Sequence, residues 1–522
     1  MKFKFFNLYF FMKKSLKLFA VAVLGLFVSI AMNAQLTTST ISGKISDKQG
    51  AVAGAAIIAT HVPTGSQYYA VSNSEGRYSI QGMRPGGPYT VSVQLLGYKT
   101  VVYTDVTLKL SEIYGQDVQL QDASEQLDEV VVVASASKFV NEKTGASTNV
   151  SNRQMMDLPN SSRSIGEITK LSPYSNGMSF AGADGRSTNF TVDGANLNNN
   201  FGLSSNLPGG GTPISIDAID EIQLVVAPYD VRQSNFVGGG INAVTKSGTN
   251  TFKGTAYTYY NNQDLRGNKV MGEDLGERPK ESNLIYGATL GGPIVKDKLF
   301  FFVNFEMQKL SEQTIKYTPD ATNQAILKKI SDKLVNDYGY NPGSYTDYPG
   351  GTDNMKILAR LDWNISQKHK LAFRFNYTKN KQWNEPNGNS CDDNYRNKGF
   401  NRSSATSFPF SNNMYFQNND VMSFALELNS RFSDNVQNRF IATYTDIYDM
   451  RGTDSTPFPH VDIMTGDTST GNYIPYTSFG YELFTWNNGV KNKVANIQDN
   501  VTIELGNHNL TAGINWEFQH AI

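Results

Sequence analysis

A single cysteine, Cys391, stands in 522 residues, so no internal disulfide can form, and no Cys/His cluster has the spacing of a zinc site. A stapled or zinc-built scaffold is excluded. Charge is scarce too: charged residues make up 18% of the chain, against about 25% in ordinary soluble domains. The 46 basic and 47 acidic residues nearly cancel, leaving a formal net charge of −1. No global field favours phosphate backbones or anionic lipid, which argues against nucleic acid as a partner. Long apolar runs are missing but for one, and mean hydropathy is −0.38. A helical transporter is therefore excluded, and any further membrane passage has to use strands. What the chain has instead is 12% aromatic residues, 45 glycines and enough length for roughly three domains or one very large one.

The one apolar run covers residues 18–32 (LFAVAVLGLFVSIAM), preceded by Lys13, Lys14 and Lys17 and followed by the small residue Ala34. This order reads as a signal peptide over residues 1–34, and the run is short for crossing about 30 Å of hydrocarbon. Met12 opens a better basic segment than Met1, so the first residues read as an upstream start.

Over residues 35–122, short β-branched runs are separated by turn clusters such as Asp47-Lys48-Gln49-Gly50, Asn73-Ser74-Glu75-Gly76 and Arg84-Pro85-Gly86-Gly87. Glycine in such clusters supplies the positive φ of tight turns. Spacing near ten residues, with polar residues alternating on one face, predicts a small Ig-like β-sandwich. His61 has no metal-ligand spacing around it and is expected at the surface. The step Gly76-x-Tyr78-x-Ile80 and the later Leu96-Gly97-Tyr98-Lys99 resemble the carboxypeptidase-regulatory-like module. That resemblance implies an accessory rather than a catalytic domain.

Next come Leu127, Asp128, Glu129, Val130, Val131, Val132, Val133 and Ala134. Consecutive valines prefer extended backbone. On composition alone they read equally as an ordinary internal strand or as a template for β-augmentation, in which a strand without a neighbour offers unpaired N–H and C=O groups. A position between two domains favours the second reading. LDEVVVVA directly after such a module resembles the Ton box of TonB-dependent outer-membrane receptors of the Bacteroidetes Oar-like type. The resemblance implies that these residues recruit the energy-transducing protein TonB.

Residues 138–249 are rich in Ser, Asn and Gly, with short apolar stretches at 165–171 and 219–226, and read as a compact α+β unit with long loops. NFTVDGANLNNNFG (189–202) and the segment 216–250 resemble the plug of the same receptors. In that family a Gly-rich strand leads into the plug-to-barrel transition; here Gly238, Gly239 and Gly240 permit close backbone approach. By the same resemblance Asn196, Asn198, Asn199, Asn200 and Phe201 form a plug loop that meets ligand from below. Competing motifs fail. Lys246-Ser247 lacks the preceding glycine of a P-loop, and Gly209-Gly210-Gly211 lacks G-x-G-x-x-G spacing and reads as flexible loop glycines. No G-x-S-x-G or H-E-x-x-H occurs, so neither an enzyme nor a metal or other cofactor is expected.

From 250 to 522 apolar and polar residues alternate. Ile357, Ala359, Leu361 and Trp363 oppose Lys356, Arg360 and Asp362, with Leu358 breaking the polar set; Leu371, Phe373, Phe375 and Tyr377 oppose Ala372, Arg374, Asn376 and Thr378. The pattern returns at 424–429, 439–444 and 510–518, in segments of about nine residues. A soluble sandwich would alternate as well, but the connections decide. Short turns at 291–298, 366–370, 433–437 and 506–509 alternate with polar gaps such as 379–420, matching tight periplasmic turns and long extracellular loops. Arg360, Arg374, Glu427, Glu504 and Glu517 are then expected to face the lumen, because Arg at the lipid midplane costs about 2–4 kcal/mol. Trp363 and Tyr377 fit the two aromatic girdles. GGPIVKDKLFFFVNFE (291–306) resembles the start of the barrel in Oar-like receptors. The expected fold is mainly β: a small Ig-like sandwich, an α+β plug, and part of a transmembrane antiparallel β-barrel that has 22 strands in the family. With about ten strands supplied, the sequence reads as an N-terminal fragment truncated near mid-barrel.

The reading that follows is a receptor in the Gram-negative outer membrane that captures a scarce extracellular ligand, an oligosaccharide, peptide or siderophore. By resemblance, TonB would energise its uptake. Outer-membrane lipid would surround the wall, and a surface lipoprotein lid is a further candidate partner. The rival is a surface adhesin or a glycan- or protein-binding protein without active transport, against which an exposed augmentation strand argues. Tyr/Trp-rich residues at 473–486 suit carbohydrate stacking, a peptide or a siderophore equally.

Overall fold

Residues 37–123, 130–133, 146–158, 163–199, 207–226, 230, 232–233, 237–388, 402–467, 472–506 and 508–522 are described by a computed structural model. The signal segment, Leu127, Asp128, Glu129, Ala134, Asn200, Phe201 and Cys391 lie outside them. Among the described residues no helix is long and apolar enough to cross a membrane.

The N-terminal unit comprises β1 (Ser39–Ser46), β2 (Ala56–His61), β3 (Ser66–Val71), β4 (Arg77–Met83), β5 (Gly86–Gln94), β6 (Val101–Leu108), β7 (Ile113–Gly115) and β8 (Val118–Gln119). One sheet runs β4-β1-β7, with β8 also on β1; the other runs β3-β2-β5-β6. Between them lies a core that includes Ile41, Ile57, Tyr89, Val91 and Leu108. Strand period two places His61 on the same inward face as Ile57 and Ala59. His61 is accordingly buried, not at the surface, with its ring 4.9 Å from that of Tyr89 and Nδ1 2.7 Å from Thr64 Oγ1. Burial pushes its pKa down to about 3, so the ring stays neutral.

A ninth strand, β9 (Val130–Val133), extends the second sheet to β3-β2-β5-β6-β9. It pairs in parallel with β6, from Val101 opposite Val130 to Thr104 opposite Val133. The valine run therefore has a neighbour on one side, which its sequence position did not suggest.

The plug contains β10 (Ala146–Ser151), α1 (Asn152–Asp157), α2 (Ile165–Thr169), the small ladder β11 (Ser175–Asn176) with β12 (Ser179–Phe180), β13 (Asn189–Val192), β14 (Ala195–Asn196), β15 (Ile219–Val226) and β16 (Gly239–Thr245). Ser151 and Gln154 form a reciprocal capping box that starts α1. The sheet order is β10-β15-β16-β13-β14, with only β13 and β16 parallel. Every residue of β16 is buried, as a central strand covered on both faces requires. A Cβ on Gly239 would lie 2.7 Å from the Phe180 ring, so this strand needs glycine.

The wall is a nine-stranded antiparallel sheet of β17 (Lys253–Asn262), β20 (Glu281–Val295), β21 (Leu299–Glu312), β22 (Thr352–Asn364), β23 (His369–Asn384), β24 (Tyr415–Arg431), β25 (Val436–Gly452), β28 (Gly489–Leu505) and β29 (His508–Ala521), paired in that order. Its first and last strands do not pair with one another among the described residues, so the barrel is not closed. The strands are longer than the alternation suggested: β23 has 16 residues and β24, β25 and β28 have 17 each. Toward the long-loop end, as at residues 381–384, no residue is buried on either face and the alternation fades although the ladder continues.

Leu361, Trp363, Phe373, Ile514, Trp516 and Phe518 point outward and are exposed, while Arg360, Arg374, Glu427 and Asn515 are buried on the other face. By strand period Glu504 shares the inward face with Thr502, and Glu517 with Asn515. Between β17 and β20 lies the short pair β18 (Lys269–Val270) and β19 (Glu273–Asp274).

The long connections are not irregular throughout. They hold α3 (Ala321–Tyr338) and the hairpin β26 (Val461–Asp467) with β27 (Asn472–Phe479). Leu327, Leu334, Tyr340, Phe408, Phe410 and Phe479 form a core of their own there. Asp320 caps α3 by accepting the Asn323 N–H at 2.8 Å, and Gly339 ends it in the left-handed region. Ile326, Leu327, Ile330 and Leu334, with these two caps, were a legible helix signal inside an otherwise polar stretch.

Candidate functional site

The plug meets the wall through three groups of polar contacts. In the first, Glu306 of β21 accepts Lys356 Nζ at 2.8 Å, Ser215 Oγ at 2.8 Å and Tyr257 OH at 2.9 Å. Arg163 of the plug lies 3.3 Å from the same carboxylate, pairs with Asp217, and sits 4.6 Å over the Tyr259 ring. In the second, Arg374 of β23 lies 3.3 Å from Asp193 of the plug and 3.1 Å from Glu427 of β24. Arg360 binds Asp362 at 2.7 Å and the Thr245 carbonyl at 2.5 Å. Inward alternation placed these charges in the lumen, but nothing in the sequence matched Arg374 to Asp193.

In the third, Asn376 and Thr378 donate to the Pro213 carbonyl at 3.0 and 2.7 Å, and Asn354 donates to the Gly209 carbonyl at 2.9 Å. Gly209 and Gly210 both have φ of +70°, and a Cβ on Gly210 would lie 2.5 Å from Asn380 Oδ1. These are packed glycines that allow a close approach, in place of the flexible loop expected. Beside these polar contacts Phe302, Leu358, Val421 and Ile447 of the wall join the plug core. Leu358 broke the alternation because it faces the plug rather than water.

The sandwich lies against the short-turn end of the wall. Lys370 Nζ donates to the Gln67 carbonyl at 2.9 Å, Arg431 donates to the Tyr69 carbonyl, and Asn364 Nδ2 donates to Ser66 Oγ at 2.9 Å. Lys370 also stands 4.2 Å over the Tyr68 ring. The plug grips the sandwich at Leu110. Its N–H donates to Glu221 Oε2 at 2.9 Å, and its carbonyl accepts Asn149 at 3.0 Å and Gln223 at 3.1 Å. Burial pushes the Glu221 carboxyl up to about 7, against the hydrogen bonds it accepts from Asn149 and Leu110.

Of the loop residues expected to meet ligand, Asn196 and Asn198 are buried. Asn198 accepts the Phe190 N–H at 2.6 Å and donates to Asn189 at 2.7 Å, while its own N–H goes to Asn196 Oδ1 at 2.9 Å. Their amides thus hold the turn beside β13, and Asn199 follows half-buried. Among the described residues, no group of three or more His, Cys, Asp or Glu is arranged to hold a metal ion.

Comparisons with known proteins agree with this architecture. Residues 244–326 and 319–521 match the family described as "Outer membrane beta barrel domain", and residues 40–121 match "Carboxypeptidase regulatory-like domain". The chain is 27% identical over 387 residues to the TonB-dependent transporter Oar of Myxococcus xanthus, covering 69% of this chain and 35% of that protein. It therefore spans about a third of the length of this curated relative. Among solved structures it is similar to the outer membrane transporter YddB from Escherichia coli, with 13% identity and a TM-score of 0.46 over 72% of this chain and 48% of that one. The siderophore receptor PirA from Pseudomonas aeruginosa gives 13% identity and a TM-score of 0.44, with the same two coverages. The Oar-like resemblance and the outer-membrane location read from the sequence are borne out by the family and curated matches. The chain belongs to the outer membrane beta barrel family, with a carboxypeptidase regulatory-like domain ahead of its plug.

Proposed function

We propose that the chain is the receptor of an energised uptake system, taking a scarce oligosaccharide, peptide or siderophore from outside the cell and admitting it past the plug when TonB engages Leu127 to Ala134. The observation that carries this reading is how the plug is seated. Its contacts with the wall include ion pairs and hydrogen bonds to carbonyls, with apolar packing beside them. Such contacts hold a unique position yet exchange for water at little net cost, because a buried ion pair is roughly balanced against its desolvation. A seat of this kind suits a gate. The similarity to Oar, a TonB-dependent transporter, supports the same reading. In the plug loop, Asn199, Asn200 and Phe201 remain the candidates for ligand contact, with Asn196 and Asn198 shaping the turn.

The test is capture of the full chain by the periplasmic domain of TonB, beside a variant carrying Val131→Pro and Val133→Pro. Proline removes main-chain donors and so attacks strand pairing itself. Capture lost in the variant is the expected result; equal capture of both would remove the role assigned to this strand. A passive surface-binding role is the second reading, favoured by the packed core of the long loops. It predicts ligand binding with no dependence on the proton gradient and no effect of the proline variant.

A further inference from the structure

Where the sandwich meets the short-turn end of the wall, the interface holds a cavity of about 80 Å³. Two adjacent rows of inward side chains of the wall line it. Lys370, Asn429, Arg439 and Asn500 stand opposite one another across β23, β24, β25 and β28. Two residues along, Arg431, Gln437, Thr502 and Thr511 form the second row across β24, β25, β28 and β29. A strand spacing of about 4.8 Å makes each row about 14 Å long, and a rise of about 3.4 Å per residue sets the rows about 7 Å apart. Thr38, Thr40 and Gln81 line the cavity from the sandwich, Arg232 from the plug, and Lys368 from the turn between β22 and β23.

Five cations, Arg232, Lys368, Lys370, Arg431 and Arg439, line this space and, among the described residues, no carboxylate does. The chain as a whole carries a net charge of −1, so the excess is local. Arg431, Arg439 and Arg232 each have an acid behind them, Asp434 at 2.9 Å, Glu427 at 3.3 Å and Asp230 at 2.7 Å. Lys370 meets neutral groups instead, the Gln67 carbonyl at 2.9 Å and the Tyr68 ring at 4.2 Å. A dipole does not cancel a full charge, and the Lys370 ammonium lacks a counter-ion there. Asn500, 8% exposed, leaves its Nδ2 without a partner, and Asn429 in the same row leaves its Oδ1 without one. A buried amide donor is normally paired, so an unpaired one beside a cavity marks a place for a bound group.

We propose that this cavity is a binding site for a phosphate group on a soluble molecule, held between the sandwich and the wall. Lys370, Arg431 and Arg439 supply charge and Asn500 Nδ2 a neutral donor, while Asn429 Oδ1 accepts from the P–OH of hydrogen phosphate. The size agrees: a water needs about 10–15 Å³ of such space, so the cavity takes about five waters or one tetrahedral oxyanion. It adjoins a second cavity of about 280 Å³, sharing Thr38, Thr40, Gln81, Arg232, Thr502 and Thr511 with it, which gives a small ion a way in. Both rows point inward, away from the lipid, so a headgroup in the bilayer is not placed to reach them. The site belongs to the resting interface and needs no TonB. A phosphate-bearing cargo would meet it after passing the plug, and that step alone rests on the uptake reading.

The test is isothermal titration of the full chain in detergent with inorganic phosphate, at an ionic strength held constant with sodium chloride. Saturable binding at one site is expected. Asn500→Ala and Lys370→Gln should each weaken it about tenfold, the loss of one hydrogen bond to a charged group. Lys381→Gln, about 37 Å along β23 from Lys370, should leave it unchanged, since that is several Debye lengths away. Protection of the Leu110 amide reports whether the sandwich stays docked. Should Lys370→Gln release it, Asn500→Ala decides, because Asn500 Nδ2 has no partner to lose. No binding beyond the chloride baseline would overturn the proposal. So would binding that all three substitutions weaken alike, which is diffuse attraction, or that none weakens, which places the ion elsewhere. Binding of a short-chain phosphatidic acid without binding of inorganic phosphate would assign the site to lipid and overturn it as well. Capture by the periplasmic domain of TonB is a separate readout, so failure of the uptake reading leaves the phosphate result standing.

Discussion

Thr37 and Glu427 stand 390 positions apart in the chain, and the Thr37 hydroxyl lies 2.8 Å from both oxygens of the Glu427 carboxylate. The same carboxylate lies 3.1 Å from Arg374 and 3.3 Å from Arg439. Arg374 continues to Asp193 at 3.3 Å. One side chain thus ties the segment just ahead of β1, the two wall strands on either side of β24 and, through Arg374, the plug.

Glu427→Ala leaves the Arg374 and Arg439 guanidinium groups short of a buried partner, a loss of about 3–5 kcal/mol where an interior charge is uncovered. The wall ladder is held by its backbone and should survive. Hydrogen exchange is therefore expected to rise in β13 and β16 of the plug while β23 and β24 keep their protection. Equal loosening of plug and wall would show that Glu427 supports the barrel rather than the seat.

Gly210→Ala meets two obstacles, a φ of +70° and Asn380 Oδ1 only 2.5 Å from the new Cβ. Gly211 has a φ of +87° but nothing within 4 Å of an added Cβ. Backbone strain of about 1–3 kcal/mol is common to both substitutions. The additional clash should make Gly210→Ala the more damaging in thermal unfolding, and matched melting temperatures would disprove the packing role.

Glu221 supplies a pH dependence whose sign is fixed by burial. Its folded pKa, about 7, lies above the usual carboxylate value, so the folded protein holds the proton more tightly than the unfolded chain. The stabilisation is complete below the ordinary glutamate range and is lost as pH rises through about 7. Asp220 and Glu112 act in the same direction. Attachment of the sandwich to the plug is thus expected to weaken from pH 5 to pH 8, as read by protection of the Leu110 amide, and Glu221→Gln should flatten that profile. A profile unchanged by the substitution would assign the dependence elsewhere.

Phe373 points to lipid and neighbouring Arg374 to the lumen. Phe373→Arg, near the middle of the spanning part of β23, is expected to lower folding stability in vesicles by about 2–4 kcal/mol. Glu517→Arg, on the lumen face of β29, should change it far less. Denaturant titration of both variants in the same vesicles checks the assignment of faces, and comparable losses would refute it.

The layout of this protein was written locally. Period two in Leu361, Trp363 and Phe373 against Arg360 and Arg374, with short turns alternating with long gaps, identified a membrane wall, because a strand shows its two faces in every successive pair of residues. Turn glycines and β-branched runs likewise announced the sandwich. The capped apolar period of α3 was equally local, though the polar residues around it obscured it.

Contacts between units were decided only by the tertiary structure. An inward Glu at position 427 looks the same in sequence whether it meets Thr37, a plug arginine or water, because its partners lie up to 390 positions away. Leu358 looked like a flaw in a polar face until the plug core was placed against it. Gly210 looked like slack until Asn380 was placed beside it. The valine run declared itself a strand through its β-branched side chains. That β6 lies beside it follows from the sandwich, since the choice of a strand's neighbour depends on which sheet edge the folded chain leaves within reach.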